Sequence, residues 1–206
     1  NEEIPEAEIG KVGKILAKYR ALYKALVKLD PEQASRMQDW LNDLLSTEIE
    51  YHLDPPTKQE ALASYAYNVM RSKFEWQSEL VTSKDRELQL YLAIHRTYLR
   101  SNLATLRYRA LVLYYPDWPK ASEKLTQEIA DNLITVYQAI EKQVNHPAAE
   151  SLSRLIRRYS VMFNVLCDVI SKNPEKAEET LRDPDALKKA VRSAAKARYK
   201  DFHLRL

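Results

Sequence analysis

Glycine occurs only twice in the 206 residues, at Gly10 and Gly13. From residue 14 onward no position offers positive φ without steric cost. Two-residue β-hairpins, phosphate-cradling loops and nucleophile elbows all rely on glycine at such positions. Walker-type and Rossmann-type nucleotide binding are therefore set aside. Helices remain the simplest way to satisfy the backbone.

Proline supplies the punctuation. Asp30-Pro31, Asp54-Pro55-Pro56, Asp117-Trp118-Pro119, His146-Pro147, Asn173-Pro174 and Asp183-Pro184 are breaks of one kind. Each puts a capping side chain just ahead of a proline suited to the first helical turn, where a missing N–H costs nothing. Thr57-Lys58-Gln59-Glu60 reads as a capping box. Between the breaks the apolar spacing is helical, and no strand alternation competes. The spacing predicts helices near 6–29, 31–52, 58–82, 84–115, 120–145 and 148–171, a short one near 174–182 and a last one near 184–203. In the first, Ile9, Val12, Leu16, Tyr19, Tyr23 and Leu26 form one seam. The expected fold is all-α, a long-helix bundle.

The sequence also offers a candidate repeat. Lys18-Tyr19-Arg20 recurs as Arg107-Tyr108-Arg109 and as Arg198-Tyr199-Lys200, and "YRAL" occurs at 19–22 and 108–111. This predicts two three-helix units of about 90 residues, the second opened by a long central helix. The units would be 1–83 and 84–172, with 173–206 adding a short helix and a basic terminal helix; the alternative is one continuous domain.

The run from Leu88 to Pro116 contains no Asp or Glu, in a chain with 29 acids. Read as one continuous helix, it is apolar on two faces, so it should be packed on both sides. Arg96, Arg100 and Arg107 then form a narrow wet stripe between those faces. His95, Asn102 and Arg109 recur at seven-residue spacing beside the leucine face, as a candidate polar pocket or as groups fixing helix register.

Charge is uneven although the net is only +3. Residues 186–206 hold seven Lys/Arg against one Asp. Lys188, Lys189, Arg192, Lys196 and Lys200 share one part of the last helix surface, with a smaller cluster at Arg154, Arg157 and Arg158. These residues and the arginine stripe are the candidate anion-binding positions, for nucleic acid or anionic lipid.

Little points to catalysis. The single Cys167 lies in an apolar run and excludes an intrachain disulfide and a cysteine-based zinc cage. The four histidines are scattered, and no motif assigns a catalytic, cofactor-binding or metal-ligating residue. No apolar run is long enough to span a bilayer, and no signal peptide is evident. A cytoplasmic helical scaffold or interaction module, binding a protein partner or itself, is the first expectation. Polyanion binding through the last helix is the second. A small-molecule site near His95 is the third.

Overall fold

A computed structural model of the chain describes the backbone of residues 6–76 and 80–204 and the side chains of 8–76 and 80–200. Ten α-helices and no strand occur among the described residues. They are α1 (Glu6–Leu29), α2 (Pro31–Leu53), α3 (Thr57–Arg71), α4 (Arg86–Ile94), α5 (Leu103–Tyr114), α6 (Glu123–Asp131), α7 (Leu133–Val144), α8 (Ala149–Lys172), α9 (Ala177–Arg182) and α10 (Pro184–Leu204). The all-α expectation holds. Residues 1–153 and 154–206 form two compact units, so the division lies seventy residues beyond the expected one at 83/84.

In the first unit, α1 and α2 fold back on each other across Asp30, whose carboxylate accepts from the Gln33 N–H at 2.9 Å. The buried seam of α1 is Ile15, Tyr19, Leu22 and Leu26. The predicted seam was rotated, since Ile9 and Tyr23 are exposed. On α2 the buried stripe is Ala34, Met37, Trp40, Leu41, Leu44, Thr47 and Glu48. α1 also packs on α6, α2 on α5, and α5 on α7. Helices assigned by sequence to two different repeats thus share one core around Trp118. The tyrosines of the first two triplets, Tyr19 and Tyr108, are both buried in it, whereas Tyr199 is exposed.

Three predicted long helices are shorter or broken. α3 ends at Arg71, and the chain then stacks Phe74 against Trp76 with ring centroids 4.8 Å apart. The predicted 120–145 helix divides at Asn132 into α6 and α7.

The continuous helix over 84–115 is also corrected. α4 passes into a π-helical turn at His95–Leu99, and Arg100 then adopts the left-handed conformation at φ 52°. The widened turn and the positive φ end the helix without glycine or proline. Asn102 restarts it as the cap of α5, accepting from the Thr105 N–H at 2.8 Å. One wheel therefore does not hold from Leu88 to Leu113. Leu92 and Leu106 are buried as expected, but Leu103 and Leu113 are exposed.

Of the six proline breaks, Asp30, His146 and Asp183 provide side-chain caps. The His146 Nδ1 accepts from Ala148 N–H, and the Asp183 carboxylate accepts from Asp185 and Ala186 N–H. The Thr57 capping box is not formed: Thr57 is already helical, and Glu60 is drawn away to Arg109.

In the second unit, Val165 and Val169 of α8 and Ala194 of α10 are buried together. Leu187, Ala190 and Val191 pack around them. Arg198 of α10 pairs with Asp168 of α8 and reaches the Asn164 carbonyl.

Candidate functional site

Several charged groups of the first unit are used internally. Glu48 sits on the buried stripe of α2, seven residues from Leu41, and its side chain is 4% exposed. Its carboxylate accepts from the Lys18 ammonium at 2.5 Å and from the Tyr19 hydroxyl at 2.8 Å. Lys18 also donates to the Trp118 carbonyl at 2.8 Å and lies 4.1 Å from the Trp118 ring centre. The Trp118 indole N–H donates to the Tyr19 oxygen at 3.0 Å. Burial pulls the Lys18 pKa down and pushes that of Tyr19 up. This cluster ties α1 and α2 to the turn at Trp118–Lys120. It was legible only as one acid on an apolar face.

The arginine stripe is not a surface feature. Arg107 holds Glu141 through both carboxylate oxygens, at 2.7 and 2.8 Å, and also pairs with Asp43. Arg96 donates to the Val144 carbonyl. Arg100 is exposed, in the break between helices. The three side chains therefore share no exposed face, and the expected anion-binding stripe is replaced by two structural contacts and one loop residue.

The expected polar trio is brought together only in part. Asn102 is exposed and occupied in capping α5. Arg109 pairs with Glu60, and its guanidinium carbon lies 4.5 Å from the Tyr51 ring centre. Burial pushes the Glu60 carboxyl upward, and Arg109 offsets only part of that. Tyr91 stands between Tyr67, at 5.9 Å, and His95, at 4.3 Å. Burial raises the Tyr91 hydroxyl to about 12. His95 is fully buried, and neither ring nitrogen has a partner among the described residues. Burial, helped by the positive charge of Arg109, lowers its pKa to about 3. A ring held neutral this firmly is a poor proton carrier near neutrality.

Elsewhere, His52 pairs with Glu8, and the side chain of His203 lies outside the described residues. No group of three or more metal-ligating side chains occurs among the described residues. The Cys167 thiol is half-buried, and burial and Asp168 push its pKa up, away from the reactive thiolate. No described helix is long and apolar enough to cross a membrane.

A row of five bases lies on α10. Leu187, Ala190, Val191 and Ala194 define its packed side. At 100° per residue, Lys188, Lys189, Arg192, Lys196 and Lys200 fall on the opposite side, and all five are exposed. None of them has an acidic partner among the described residues. Asp185 lies in the first turn of the helix, where the helix dipole favours an acid. On α8, Arg157 and Arg158 are exposed as well. No family model matches this chain, and no curated protein or solved structure matches it.

Proposed function

We propose that the protein is a helical binding module without catalytic activity, and that its contact surface is the outer face of α10, which takes a polyanionic partner. One observation carries this reading. Lys18, Arg107 and Arg109 of the first unit are neutralised by carboxylates, whereas the five bases of α10 share one exposed side and have no acidic partner among the described residues. An unpaired row of like charges destabilises its own helix slightly, and a partner that neutralises it recovers that cost. The fourfold variant Lys188→Glu, Lys189→Glu, Arg192→Glu, Lys196→Glu should keep its helical circular dichroism, because none of these side chains is buried. The wild type should be retained on immobilised heparin at about 50 mM salt and the variant should pass through. Equal retention of the two would sink the reading.

Self-association or docking of a protein partner is the second reading. Its support is the exposure of Tyr159, Val161 and Met162 on α8, residues that ordinarily seek cover. A solution mass above that of one copy, reduced by Met162→Glu, would put it first.

A further inference from the structure

We infer that the polyanion is the phosphodiester backbone of a nucleic acid duplex, held without base reading, rather than an anionic lipid surface. This rests on the reading of α10 as the contact face. From Lys188 to Lys200 the face extends about 18 Å along the helix axis. Over that length a duplex presents on the order of ten phosphates, one per about 1.7 Å. The duplex therefore presents more phosphates over that length than the face has cations.

The outer face carries few groups able to read bases. Arg192 is its single guanidinium, Ser193 its one short hydroxyl, and neither Asn nor Gln occurs from Ala186 to Lys200. Phosphate contacts fix position and carry no sequence information. The contact is accordingly sequence-independent.

The packing of α10 argues against lipid. A helix lying in a membrane interface buries its own apolar side among the acyl chains. On α10 that side is already taken: Leu187, Ala190, Val191 and Ala194 pack with Val165 and Val169 of α8. Tyr199 is exposed among the five bases on the outer face, with no Leu, Ile, Phe or Trp beside it. Polybasic attraction to a lipid surface holds durably only beside such an apolar anchor.

The test is fluorescence anisotropy with a labelled duplex of about 20 base pairs, as DNA and as RNA, from about 50 to 200 mM KCl, beside co-sedimentation with phosphatidylserine vesicles. Five neutralised phosphates give a slope of log K against log salt of about −4.5, a loss of roughly 500-fold across that range. Two unrelated duplex sequences should bind alike. The fourfold Glu variant should lose at least about 100-fold at the lowest salt. Vesicle binding as strong as duplex binding, and lost in the variant, overturns the nucleic-acid inference and leaves the α10 reading standing. Duplex binding that survives in the variant overturns both. Tight binding of one sequence over the other overturns the backbone-only contact.

Discussion

Replacing Glu48 by alanine should lower the free energy of unfolding of the first unit by about 3–5 kcal/mol. The substitution leaves the Lys18 ammonium in a site where its side chain is 9% exposed, with the Trp118 carbonyl as its remaining oxygen partner. The Tyr19 hydroxyl loses its acceptor at the same time. A stranded buried charge costs far more than the net worth of the pair it belonged to. The measurement is urea unfolding followed by tryptophan fluorescence. Trp40, Trp76 and Trp118 all lie in the first unit, so the signal reports that unit alone. The double change Lys18→Met, Glu48→Leu removes both charges and should recover most of the loss. A loss below about 1 kcal/mol for Glu48→Ala would mean that the cluster does not hold α1, α2 and the Trp118 turn together.

His95 should give the next largest effect, and it should depend on pH. Its folded pKa, about 3, lies below the 6.5 of an unfolded histidine. Above 6.5 the ring is neutral in both states and its contribution is constant. Below 6.5 the unfolded chain takes up a proton that the folded chain refuses. Stability therefore falls by about 1.4 kcal/mol per pH unit as the pH drops toward 3. The groups around the ring are Tyr91 on α4 and Arg109 on α5, with Glu60 of α3 and Tyr51 of α2 on Arg109. Other carboxylates titrate in the same window, so the useful quantity is the difference between wild type and His95→Leu. At pH 7.5 the variant should be equal or more stable by about 1 kcal/mol, since two unpartnered ring nitrogens leave the core. At pH 4.5 the gap should widen by about 3 kcal/mol. A gap that is the same at both pH values would show that the ring is not held neutral.

The all-α fold was legible because apolar spacing and proline breaks agree across most of the chain, and because glycine is nearly absent. α1, α2, α8 and α10 begin and end within a residue or two of their expected limits. The break at Arg100 was not legible. A π-turn and a left-handed arginine leave no mark in composition, and the leucines on both sides keep a spacing that suits one continuous helix. That break lies between His95 and the other two members of the expected trio, and it makes Asn102 an exposed cap. The end of α3 at Arg71 is equally unmarked, since neither proline nor glycine follows until Pro116. Of the candidate site residues, the bases of α10 were placed correctly on one exposed face because the helix carrying them is unbroken. Arg107 does not join a surface stripe because its partners, Asp43 and Glu141, lie far off in sequence, and Arg109 is held by the equally distant Glu60. A run without acids of its own takes them from other helices.

Lys18, Arg107 and Arg109 hold the fold of the first unit, and we propose that the bases of α10 meet the partner. Amide chemical shifts of the ¹⁵N-labelled chain, followed during titration with a duplex, test it most directly. The shifting amides should cluster between Asp185 and Lys200, while those around Tyr91, His95, Arg107 and Arg109 stay in place. Shifts concentrated around His95 and Arg109, with α10 unmoved, would contradict it.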